Sequence, residues 1–156
     1  MKYSQARQGR IFIIRLEHGE VLSEQLEQFA AEKSIKAAAL IAVGGAGKGS
    51  KLVAGPEDGS HHPVTPIEYI LKDVHEITGT GTIFCNNEGD PVSHIHLACG
   101  RKNSTKTGCT RQGVKVWEVM EVIVFELIDT EARRLYEEKT GLELLNPLSG
   151  QENSDH

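Results

Sequence analysis

His94, His96 and Cys109 are the residues whose types and spacing could do chemistry. The segment Pro91-Val-Ser-His-Ile-His-Leu-Ala-Cys99 is apolar and β-branched enough to be a strand. Side chains alternate faces along a strand, so His94 and His96 share one face, about 7 Å apart at the backbone. Cys109 follows the polar stretch Gly100 to Thr107, which is short enough to return the chain beside that strand. Two imidazoles and a thiolate are ligands that Zn²⁺ or a similar divalent ion accepts, and three protein ligands leave a fourth position open. The same residues also fit a plainer reading. Paired histidines can simply hydrogen-bond in a half-buried groove, and free cysteine is among the most buried residue types.

An open metal position could activate water or polarise a carbonyl, which would make the chain a small zinc-dependent enzyme acting on a small molecule. That chemistry needs a general base within reach. The available groups are Glu76, Glu121 and the loop histidines His61 and His62. Glu121 and Glu126 both fall in an apolar run, where a carboxylate is costly unless it is paired or stands at a rim. No nucleophile or acid/base pair is recognisable, which favours a binding or regulatory module over an enzyme.

The elements that must position these groups read as follows. Arg10 to Leu16 is a strand ended by a turn at His18-Gly19. Val21 to Lys33 is a helix, because Leu22, Leu26, Phe29 and Ala30 form one apolar stripe. Ile35 to Val43 is a strand of small residues running into a glycine-rich turn, and the strand–helix–strand order predicts a right-handed crossover that sets it parallel to the first strand. Lys51 to Ala54 is short, Gly55 to Pro66 is a polar loop, and Ile67 to Ile77 reads as one long strand. Gly79 to Cys85 continues to a turn at Asn86–Gly89, the histidine strand follows, and Val114 to Leu127 is a long apolar strand. Thr130 to Lys139 reads as a short surface helix anchored by Leu135 and Tyr136, and Gly141 to Leu145 as a last extended piece. The expected architecture is α+β: a mixed, mostly antiparallel sheet with one main crossover helix and a short C-terminal helix. Residues 1–148 form a single domain and 149–156 a disordered tail.

Composition narrows the classes. At 156 residues the chain is one domain with a real core. No run approaches the roughly 18 apolar residues of a membrane span, and Met1 to Arg7 has no apolar signal region, so no membrane partner and a cytoplasmic location are expected. Cys85, Cys99 and Cys109 are an odd set that fits reduced thiols. The formal charge of −5 argues against DNA binding by this domain unaided, since phosphate neutralisation supplies most of such affinity. Arg101, Lys102, Lys106, Arg111 and Lys115 are a local basic excess that reads as a solvated loop.

Several motifs fail on their own residues. Gly47-Lys48 is followed by Gly49, so the phosphate-loop pattern is absent, and Ser50 stands at the third site of a dinucleotide fingerprint. There is no Pro-Cys-x-x-Cys of a zinc deaminase and no Gly-x-Ser-x-Gly elbow. Leu97-Ala-Cys-Gly-Arg-Lys follows the histidines where a cupin would place a glutamate.

Taken in order, Phe12-Ile-Ile-Arg-Leu-Glu-His-Gly-Glu20, Ala39-Leu-Ile-Ala-Val-Gly-Gly-Ala46, His75-Glu-Ile-Thr-Gly-Thr-Gly-Thr-Ile83, His94-Ile-His-Leu97, Thr107-Gly-Cys109 and Glu121-Val-Ile123 resemble the plant and prokaryote conserved (PPC) domain, known from plant AT-hook nuclear proteins and from stand-alone prokaryotic chains. The resemblance spans roughly Arg10 to Leu145, and Thr140-Gly-Leu-Glu-Leu-Leu145 is similar to an ending of prokaryotic members. It implies an antiparallel-rich domain that assembles as a homotrimer, possible association with DNA or a regulatory protein, and a His-x-His site joined by a residue from a following Gly-Gly-His. Here that third position is Gly108-Cys109, which puts thiolate in place of imidazole and would alter metal preference. His75 stands where an aromatic residue is typical. The Arg-Gly-Arg-Pro core by which an AT-hook enters the A·T minor groove is absent.

Overall fold

Alternation with a period of two governs nearly every segment, and the result is a sheet that buries one face. The computed structural model describes residues 1–59, 65–138 and 140–148. Its elements are β1 (Arg7–Glu17), α1 (Leu22–Glu32), β2 (Ala37–Ala46), β3 (Lys51–Pro56), β4 (Pro66–Ile70), β5 (His75–Cys85), β6 (Pro91–Arg101), β7 (Ser104–Cys109), β8 (Val116–Ile128), β9 (Arg133–Glu137) and β10 (Leu142–Asn146). The first eight strands form one sheet in the order β1-β8-β2-β5-β6-β7-β3-β4, every neighbouring pair antiparallel, and β9 pairs with β10.

The inner face carries Leu40, Ala42, Ile95, Leu97, Val122 and Val124, all buried. Leu22, Leu26 and Ala30 on α1 complete the same core. Each buried branched side chain contributes roughly 1.5–3 kcal/mol relative to exposure, so this face dominates the stability of the domain. Phe12 and Phe29 meet edge to face at 5.1 Å and fix α1 against β1.

The outer face has a different character. Directly opposed residues in a ladder point the same way, and one continuous row crosses seven strands: Ile13, Ile123, Ile41, Thr80, His96, Cys109 and Val53. The adjacent row runs Ile11, Phe125, Ala39, Thr82, His94. Ile13 is 86% exposed and Val43 50%, so this face is apolar at the β1–β8–β2 end and holds the histidines towards the other.

Four expectations need correction. The fold is β-dominated, with ten strands and a single helix among the described residues, in place of an α+β domain with two helices. β1 and β2 do run in the same direction, but β8 is inserted between them and pairs with both. The long, apolar β8 can bury its inner residues and satisfy both its edges only in the interior of the sheet. The expected C-terminal helix is instead β9, where Leu135 pairs with Leu144 and Arg134 with Leu145 across a turn at Gly141, whose φ of +68° suits glycine. Tyr136 is exposed and lies outside the core. The run Ile67 to Ile77 breaks at residues 71–74, where the Asp73 carboxylate accepts the Val74 N–H and pairs with Arg101, so that β4 becomes an edge strand and β5 an interior one. Residues 149–156, and the loop histidines His61 and His62, lie outside the described residues.

Candidate metal centre

β6 and β7 bring the three predicted residues together. His94 and His96 alternate onto the outer face, and the β6–β7 register sets Cys109 directly opposite His96. That register is helped by Gly108, where a Cβ would stand 2.8 Å from the Val53 carbonyl oxygen, so only glycine lets β3 approach β7 here. The Nε2 atoms of His94 and His96 are 3.1 Å apart, and their rings cross at 78°. One donor atom from each of His94, His96 and Cys109 lies within 4.8 Å of the others.

This donor set fits a tetrahedral ion after small rotamer shifts. Zn–N and Zn–S bonds of about 2.0–2.3 Å place donors roughly 3.3–3.6 Å apart. The two nitrogens, at 3.1 Å, are slightly closer than that, and all three donors lie within 4.8 Å of one another. Without a cation, two Nε2 atoms at 3.1 Å must share a proton; with one, both lone pairs can turn to it.

The electrostatics favour the neutral imidazole that a metal needs. The pKa of His94 is lowered, first by the surrounding protein that displaces water from the ring, then by the charges of Arg134, His96 and Arg111. Arg134 was not foreseen as part of this region. Its Nη2 donates to Thr82 Oγ1 at 3.0 Å and its Nε to the Val92 carbonyl at 3.3 Å, and Thr82 is the residue directly opposite His94. No sequence signal distinguished it, since its position depends on the β9–β10 hairpin folding back over β5.

The other candidates are not brought to this place. Glu76 lies four residues along β5 from Thr80, about 13 Å by strand rise. Glu121 sits opposite Val43, three strands from β6 and therefore about 14 Å away. Glu126 is nearly buried and chelated by Arg10, whose Nε and Nη2 reach its oxygens at 2.7 and 2.6 Å. His75 Nδ1 is held by the Asp73 carbonyl. Cys99 points to the inner face, fully buried, and burial pushes its thiol up to about 11. Among the described residues, no helix is long and apolar enough to cross a membrane.

Comparison with known proteins agrees with this architecture. The metal-containing protein of Archaeoglobus fulgidus is 29% identical, with a TM-score of 0.78 over 92% of this chain and 98% of its own. The plant- and prokaryote-conserved protein of Pyrococcus horikoshii is 23% identical, with a TM-score of 0.80 over 96% of this chain and 99% of its own. A protein of Ralstonia eutropha provisionally named as DNA-binding is 21% identical, with a TM-score of 0.66 over 86% of this chain and 89% of its own. No curated protein matches the chain. The family model of the Plants and Prokaryotes Conserved (PCC) domain matches residues 3–128, which takes in every strand of the main sheet and the whole histidine–cysteine cluster, and the chain belongs to that family.

Proposed function

We propose that this chain is a homotrimeric metal-binding domain, a regulatory or DNA-associated binding module in which His94, His96 and Cys109 hold one zinc or similar divalent ion. The observation that carries this reading is the convergence of three ligand atoms within 4.8 Å on one sheet face. The metal content of the Archaeoglobus protein supports it from outside. When bound, the ion would supply a Lewis-acid position with one place open to a ligand.

The chain's own residues do the rest. The β6–β7 ladder fixes His96 against Cys109, and the tight Thr82–His94 row fixes the second imidazole. Neither Glu76 nor Glu121, the carboxylates the sequence offers as a base, stands near enough to serve a hydrolytic role. Self-association is supported by the exposed Ile11, Ile13, Ile41 and Val43, a contiguous apolar strip on the same face as the site. DNA association, the role the Ralstonia protein's name carries, would need a basic partner, since the chain itself carries −5. We place the protein in the cytoplasm, where the free Cys85, Cys99 and Cys109 stay reduced.

Titration with Co²⁺ tests the ligand set. A thiolate-to-metal charge-transfer band that saturates at one ion per chain, and is lost in Cys109→Ala, is the expected result. A band that survives Cys109→Ala would overturn the assignment.

A further inference from the structure

A cavity of about 730 Å³ opens beside His94, within the size range of small-molecule sites. Glu24 and Glu27 of α1, His94, Arg111 after β7, Arg134 of β9 and Glu143 of β10 line it. We propose that this cavity binds a small oxyanion, a carboxylate or phosphate group on a metabolite-sized molecule, with Arg134 as its anchor and Arg111 as the second cationic wall. The proposal rests on the metal-binding reading and deepens it by naming the ligand class that the open metal position would share.

An unneutralised charge stands in the wall of this cavity. Arg134 is only 6% exposed, yet its hydrogen bonds go to a carbonyl and a hydroxyl, and it forms no ion pair among the described residues. A buried cation without a counter-charge is costly, because interior groups are poorly screened. Burial lowers its pKa first, and the next influence is the like charge of Arg111, ahead of the opposing Glu143 and Cys109. Two guanidinium groups thus face the same space.

The carboxylates around the cavity do not quench them. Glu27 is committed to β6, its Oε1 accepting the Ser93 N–H at 2.8 Å and the Ser93 hydroxyl at 2.7 Å. Glu24 forms no ion pair with either arginine among the described residues, and Glu143 acts on Arg134 only from a distance. Cys109, the remaining counter-charge, is spent on the ion in the proposed centre. A guanidinium with free N–H groups matches the planar fork of a carboxylate or two oxygens of a phosphate, in bonds about twice as strong as neutral ones. An oxyanion seated on Arg134 would lie beside His94, so that a second donor of the same molecule could reach the metal.

The test is calorimetric titration of the full chain, zinc-loaded, with inorganic phosphate and with malonate, and malonamide as the neutral control. Saturable binding of either anion but not of malonamide is expected, and which anion binds tells phosphate from carboxylate. Arg134→Gln should weaken binding by about tenfold or more, with Arg134→Lys in between, as expected for loss of a charge-assisted pair. Because Arg134 also holds Thr82 and Val92, the exposed Arg111→Gln provides a second variant whose fold is not at risk, with an expected loss of about threefold. Failure of both anions to bind, or equal binding by folded Arg134→Gln, overturns the proposal. Metal content measured beside anion binding separates the two readings: metal in the wild type without anion binding defeats only this proposal, whereas Arg134-dependent anion binding by a wild-type chain that takes up no metal defeats only the metal centre.

Discussion

His96 stands directly opposite Cys109 in the antiparallel β6–β7 pair, so their side chains share the sheet face that α1 does not cover. They are thirteen positions apart in sequence, and only the register of that hairpin makes them neighbours.

The two cysteines flanking that hairpin should behave oppositely. Cys109→Ala should abolish metal uptake, whereas Cys99→Ala should leave metal stoichiometry unchanged and cost about 1–2 kcal/mol from the small cavity left in the core. The thiol of Cys99, raised to about 11 by burial, should also resist alkylation in the folded protein at neutral pH. Metal analysis, denaturant melts and alkylation mass spectrometry check the three statements. Equal metal loss in both variants would count against the ligand assignment.

Gly81→Ala should damage the site without touching a ligand. A Cβ at Gly81 would stand 2.7 Å from the His94 carbonyl oxygen and from Ile95 Cγ1, so β6 must shift. We expect a loss of about 1–3 kcal/mol, typical of overpacking, together with weaker metal affinity. A variant that melts and binds metal as the wild type does would refute this.

The Arg10–Glu126 pair makes stability depend on acid pH. Hydrogen bonds from Arg10 hold the Glu126 carboxyl below its ordinary value of 4.5. A carboxylate with a depressed folded pKa stabilises the fold above its unfolded pKa, and the contribution is lost as pH falls through the folded pKa. Wild-type stability should therefore drop as pH is lowered beneath about 4.5, and Glu126→Gln should show a flatter profile over that window. Identical profiles in urea melts would contradict the role of the pair.

Ile13→Lys should shift the protein towards monomers while leaving its circular dichroism unchanged. Ile13 is exposed at the centre of the apolar strip on the outer face, and a charge there costs the fold little but an interface much. Sedimentation equilibrium reads the outcome. An unchanged assembly state would move the self-association surface elsewhere.

Much of this was legible in the sequence where a local period decided the matter. The stripe of Leu22, Leu26 and Ala30 marked α1, and the alternation of His94 and His96 set both on one face. The failures came where partner choice overrode local pattern. Ile67 to Ile77 carries strand-forming residues on both sides of Lys72-Asp73, and the break at Asp73 depends on its pairing with Arg101. Thr130 to Lys139 is compatible with a helix, but Arg133 to Glu137 pair residue by residue with Leu142 to Asn146 instead. The insertion of β8 between β1 and β2 is a long-range choice that no window of sequence records. Arg111 looked like part of a solvated loop and Arg134 like a residue of a surface helix, so the cationic wall of the cavity emerged only from the tertiary arrangement.

The most direct test of the metal-binding account is elemental analysis of protein purified without a metal-binding tag, beside the His94→Ala/His96→Ala double variant. The account predicts about one zinc or similar divalent ion per chain in the wild type and none in the variant, as for a site with three protein ligands. Wild-type protein that holds no metal even after zinc is restored, or a double variant that retains it, would contradict the account.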